Sequence, residues 1–105
     1  MYEEWSAQDL KDRLDRGEKL NLVDVREPEE WREGHIAEAR HIPLSQFTER
    51  VGELHAEDED APLVFICRSG NRSGRVCDYL SQQGYTVVNM AGGMLAWPGD
   101  VRTGD

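Results

Sequence analysis

Cysteine is scarce in this chain: Cys67 and Cys77 are the two present among 105 residues. Two thiols do not make the disulfide framework of a small secreted domain, and in a reducing compartment such a cysteine is either chemical or buried. Long apolar runs are missing as well. No stretch approaches the ~20 residues that a membrane-spanning helix needs. The opening Met1-Tyr2-Glu3-Glu4-Trp5 has neither the basic segment nor the apolar stretch of a secretory signal. These absences point to the cytoplasm. Positive charge is also short, with 12 Lys and Arg against 21 Asp and Glu, a net charge of -9. An acidic surface repels phosphate backbones and anionic lipid, which argues against nucleic acid or membrane as a partner. It also sets a condition: a site that binds an anion must build a local positive pocket against the field of the whole molecule.

The chain has room for one compact domain, with a core expected over about residues 6–98. Its apolar residues gather in short runs, as a folded chain requires and a disordered one does not. Ser6 followed by Asp9 reads as a helix N-cap with an acidic first turn, Leu10 and Leu14 share a face, and Gly17 is a stop. Residues 20–25 read as a strand, residues 29–32 as a helical turn after Pro28, and residues 39–42 as a short strand ended by Pro43. Residues 45–54 are expected as a helix capped by Ser45, with Phe47, Val51 and Leu54 inward. An acidic connection over residues 55–62 follows, expected as a solvated loop. Leu63-Val64-Phe65-Ile66 lacks alternation and suits a central strand covered on both faces. A polar loop over residues 67–72 leads into a helix over residues 73–83 with Val76, Cys77 and Leu80 inside and Gly84 as its stop. A strand at residues 86–88 and a short helix before Pro98 close the domain. Strands alternating with helices predict an α/β domain with a parallel sheet.

The chemistry is expected in Cys67-Arg68-Ser69-Gly70-Asn71-Arg72-Ser73. The cysteine leaves the carboxyl end of a buried strand, where open α/β sheets place their ligands. The loop then curls into a helix amino terminus, whose free N–H groups and dipole favour negative charge. Ser69, Gly70 and Asn71 let the loop turn its amides inward. Arg68 and Arg72 are expected to add two cations. Together these features depress a thiol pKa and stabilise a thiolate, which suits a covalent relay of sulfur.

This heptapeptide resembles the active-site loop of the rhodanese family. Leu22-Val23-Asp24-Val25-Arg26, Glu33-Gly34-His35-Ile36, Ala39-Arg40-His41-Ile42-Pro43 and Met90-Ala91-Gly92-Gly93 with Ala96-Trp97 are similar to further signatures of that family, in the same order. The resemblance implies a rhodanese-like three-layer α/β fold with a five-stranded, mainly parallel sheet flanked by helices. It implies Cys67 as the catalytic residue that becomes a persulfide, with Arg68, Ser69, Gly70, Asn71, Arg72 and Ser73 as the substrate-binding loop. The implied reaction moves sulfane sulfur from a small anionic donor such as thiosulfate to cyanide or a thiol, without a cofactor. Ala37-Glu38-Ala39 departs from the family's usual step there and is expected to change a surface turn.

Cysteine phosphatases use a similar cradle, but with one more residue between cysteine and arginine than the four that separate Cys67 from Arg72. The shorter loop suits one sulfur atom better than a phosphate. A persulfide carrier serving a partner protein shares the same cysteine, and a non-catalytic binding module is the remaining alternative. Cys67, Cys77, His35, His41 and His55 show no metal-ligand spacing. Asp24 and Arg26 are expected to support the loop through ion pairs, with Arg26 also a candidate substrate contact. Cys77 is expected in the core, and His35 as a hydrogen-bonded structural residue. Trp31 or Trp97 is a candidate for the mouth of the site.

Overall fold

The computed structural model describes residues 2–54 and 61–105, so most of the acidic connection lies outside the described residues. Five strands form one sheet: β1 (Glu3–Ser6), β2 (Asn21–Asp24), β3 (Arg40–His41), β4 (Leu63–Ile66) and β5 (Val87–Ala91). Their order is β1-β5-β4-β2-β3, and every neighbouring pair is parallel. The helices are α1 (Ala7–Asp15), α2 (Pro28–Glu33), α3 (Phe47–Arg50) and α4 (Asn71–Gln82), with 3₁₀ turns at Leu44–Gln46, Val51–Glu53 and Gly93–Ala96.

Strand periodicity sorts the core into two layers. In β4, Leu63 and Phe65 join Val23, Val25, Phe47, Val76, Cys77 and Leu80 on one face of the sheet. Val64 and Ile66 join Trp5, Leu10, Leu22, Ile36, Val88 and Met90 on the other. All four residues of β4 are buried, as its uninterrupted apolar run predicts.

Several local expectations hold. The Ser6 hydroxyl accepts from the Asp9 amide at 3.0 Å and caps α1. Gly17 and Gly84 take positive φ just past their helices. Ala37 and Glu38 sit exposed in a turn closed by Ala39 N–H to the Ile36 carbonyl, at 3.0 Å.

Others are corrected. Residues 44–53 are the four-residue α3 between two 3₁₀ turns instead of one continuous helix. Ser45 does not cap them: it lies inside the first 3₁₀ turn, which begins after Pro43, and its hydroxyl donates to Glu27 Oε1 at 2.8 Å. Strand β1 was absent from the elements read directly off the residues, and α4 begins at Asn71, two residues before its expected start.

Candidate active site

All five strands run the same way, so their carboxyl ends share one edge of the sheet. The register pairs Asp24 of β2 with Ile66 of β4, and Phe65 of β4 with Asn89 of β5. Cys67 therefore emerges between the segment that carries Arg26 and the turn that carries Gly92 and Gly93.

Behind Cys67 the chain turns sharply. Gly70 has φ +99°, and a Cβ there would meet the Gly92 nitrogen at 3.2 Å, so the loop needs glycine for both reasons. This turn aims the Gly70 N–H at the Cys67 Sγ, 3.0 Å away. The Ser73 hydroxyl, in the first turn of α4, lies 3.3 Å from the same sulfur. Burial pushes the Cys67 thiol pKa up. The Ser73 hydroxyl and the amides of Ser73, Gly70 and Ser69 pull it down, and the donors win: the pKa falls below the ordinary thiol value. Neutral dipoles thus favour the anionic form of the sulfur.

Asn89 organises those donors. It is 2% exposed, a lone polar side chain within the buried strand β5. Its Nδ2 donates to the Gly70 carbonyl at 3.1 Å and to Glu4 Oε2 at 3.0 Å, and its Oδ1 lies 2.5 Å from the Ser73 hydroxyl. That hydroxyl carries one hydrogen and faces two acceptors, Sγ and Oδ1. A thiolate draws the hydrogen to sulfur. Ser73→Ala is expected to raise the Cys67 pKa, so the pH at which alkylation by iodoacetamide reaches half its maximum rate moves upward. An unmoved inflection would mean the hydrogen stays with Asn89.

The loop is also held from outside. Met94 N–H donates to the Cys67 carbonyl at 2.9 Å, and Leu95 N–H to the Arg68 carbonyl at 3.0 Å. Gly93 makes this approach possible, since a Cβ there would fall 2.4 Å from the Arg68 oxygen.

Of the two arginines expected as cations, Arg72 departs from that expectation and Arg68 does not. Arg72 is engaged by Glu30 of α2 through two bonds of 2.7 and 2.8 Å, which hold the Glu30 carboxyl down to about 2. Arg68 is exposed and has no ion-pair partner among the described residues. Ser69 and Asn71 are exposed too, while Ser73 is fully buried.

Asp24 and Arg26 form a buried pair. Arg26 Nε reaches both carboxylate oxygens, at 3.0 and 3.1 Å, and one terminal nitrogen reaches Oδ2 at 2.9 Å and the Gly34 carbonyl at 2.7 Å. Arg26 also borders a groove of about 530 Å³ with Glu30, Arg68, Met94, Leu95 and Val101.

Cys77 has no exposed surface, and burial, with help from Glu4 and Cys67, pushes its pKa up to about 12. His35 donates from Nδ1 to the Trp31 carbonyl at 2.7 Å, since a carbonyl can only accept. Trp31 stacks with both His35 and His41, with centroids at 3.6 and 4.6 Å. Trp97 bonds the Asp100 carbonyl. Neither tryptophan borders the groove beside the loop. Glu30 and Asn89 were not singled out from sequence. Asn89 had left a signal, as a single amide inside an apolar run.

Fold and site together define an α/β domain that presents a cradled thiol at the carboxyl edge of a parallel sheet. A family model for the rhodanese-like domain matches residues 6–100, and the chain belongs to that family. It is 46% identical over 99 residues to YtwF of Bacillus subtilis, covering 94% of this chain and 93% of that one. It is 40% identical over 98 residues to a sulfurtransferase of Allochromatium vinosum, covering 92% and 89%. A rhodanese-like domain protein from Staphylococcus aureus superposes with a TM-score of 0.86 at 30% identity, over 98% of this chain and 99% of that one. Among the described residues no helix is long and apolar enough to cross a membrane.

Proposed function

We propose that this chain is a sulfurtransferase that carries sulfane sulfur as a persulfide on Cys67, as one catalytic domain. The observation that carries the reading is the sulfur itself: buried, yet with its pKa lowered by the donors around it. The sulfurtransferase name of a relative that the chain matches nearly end to end supports it.

In the first half-reaction the Cys67 thiolate attacks the outer sulfur of thiosulfate or a related donor. A new S–S bond forms, the donor's S–S bond breaks, and sulfite leaves with the electron pair. In the second, cyanide or a thiolate attacks the outer sulfur of the persulfide, and Cys67 leaves again as a thiolate. No net proton or electron is required, so no dedicated base is needed. The amides of Ser69, Gly70 and Ser73 stabilise negative charge on sulfur before and after transfer. Cys67 has no exposed surface, so the structure around the sulfur must yield to the incoming donor.

Initial rates with thiosulfate and cyanide test the relay. Parallel double-reciprocal lines are expected, with sulfite released before any cyanide is added. Sulfite release that requires cyanide would contradict a covalent intermediate. The second reading, delivery of sulfur to a partner protein or organic thiol, is favoured by the apolar lip of the groove, where Leu95 is 69% exposed and Val101 48%.

A further inference from the structure

We propose that Glu30 is a specificity-determining residue: by neutralising Arg72 it tunes the Cys67 site toward singly charged organic persulfides and away from the thiosulfate dianion. This rests on the sulfur relay proposed above and names the donor class that the relay prefers.

The charges around the loop are nearly all matched. Arg72, in the first turn of α4, meets Glu30 with both terminal nitrogens, and the two side chains are 32% and 27% exposed. Glu30 is itself fixed, because its Oε1 also accepts the Glu27 N–H at 3.1 Å. The carboxyl, held to about 2, is ionised at neutral pH and keeps its charge opposite Arg72. Arg26 is matched by Asp24. Arg68 is left as the one groove-lining cation without an ion-pair partner among the described residues, and Glu33 adds another carboxylate. An overall charge of -9 deepens the disadvantage of a dianion. The exposed Leu95 and Val101 at the same groove suit a donor with a carbon body, which thiosulfate lacks.

An organic persulfide reacts with the same balance of atoms. The Cys67 thiolate takes the terminal sulfur, the donor's S–S bond breaks, and the donor thiolate departs with the electron pair.

The test compares rate constants for loading Cys67 from thiosulfate and from cysteine persulfide, which carries one net negative charge at neutral pH. The wild-type protein is expected to prefer cysteine persulfide by about tenfold or more. Glu30→Gln keeps an oxygen for the Glu27 N–H and frees Arg72. It is expected to raise the thiosulfate constant about tenfold and the persulfide constant less than about threefold. Removing the freed cation in Glu30→Gln/Arg72→Ala should erase that gain, and Glu33→Gln should move the ratio less than about twofold. A wild-type preference for thiosulfate overturns the inference without any variant. So does a Glu30→Gln ratio equal to wild type, a gain that survives loss of Arg72, or an equal gain in Glu33→Gln. Loading from both donors with an unmoved ratio sinks this inference alone; loading from neither sinks the relay as well.

Discussion

Cys67→Ala is expected to abolish persulfide formation and turnover, a loss of roughly three orders of magnitude or more. No other group can take over the role. Cys77 is buried on the inner side of α4, and with its pKa pushed up to about 12 it carries almost no thiolate at neutral pH. The fold is expected to survive. Removing one sulfur atom just beyond the packed end of β4 leaves a small void worth about 1 kcal/mol. Sulfite release and a thermal melt on the same preparation check both halves. Residual turnover above a few per cent that disappears on Cys77→Ala would move the nucleophile to Cys77.

Asp24→Ala is expected to cost about 3–5 kcal/mol of stability. Asp24 is 0% exposed, and its carboxylate takes the Arg26 backbone N–H, Nε and one terminal nitrogen. Truncation leaves a guanidinium that is 7% exposed facing no counter-ion, and that uncompensated charge is the dominant penalty. For a domain of this length the loss corresponds to a fall in Tm on the order of 15 °C or more. Denaturant unfolding checks it, with the midpoint expected to fall and the slope to hold. Asp24→Leu/Arg26→Met should recover much of the loss, because an apolar pair in the same place carries no buried charge. A cost for Asp24→Ala below about 1 kcal/mol would mean that Arg26 swings into the groove and reaches water.

Most of the fold was legible because its strands and helices carry their own signals. Residues 63–66 are continuously apolar and form the central strand, and Ser6, Gly17 and Gly84 mark helix ends by their own chemistry. Strand β1 carries almost no such signal. Trp5 is its one buried residue, and its strand geometry comes from pairing with β5 more than eighty positions later. The segment after Pro43 breaks into short turns, and Ser45, expected as a cap, bonds Glu27, distant in sequence, from inside the first of them.

The site divides in the same way. Cys67, Gly70 and Ser73 were legible because a strand end, a glycine turn and a helix start follow one another along the chain. The fate of Arg72 was not, since Glu30 lies 42 positions away in a run that reads as a solvated charged face. With Arg72 paired to Glu30, less positive charge is free near the sulfur than two unpaired arginines would supply. The loop amides, expected as donors, and the Ser73 hydroxyl are what lower the thiol pKa.

Intact mass after incubation with a sulfur donor, then with cyanide, tests the central claim most directly. Thiosulfate and cysteine persulfide would be tried separately on the wild-type protein and on Cys67→Ala. A gain of one sulfur atom per chain is expected, removed by cyanide and absent from Cys67→Ala. No gain from either donor, or a gain that persists in Cys67→Ala, would contradict a persulfide carried on Cys67.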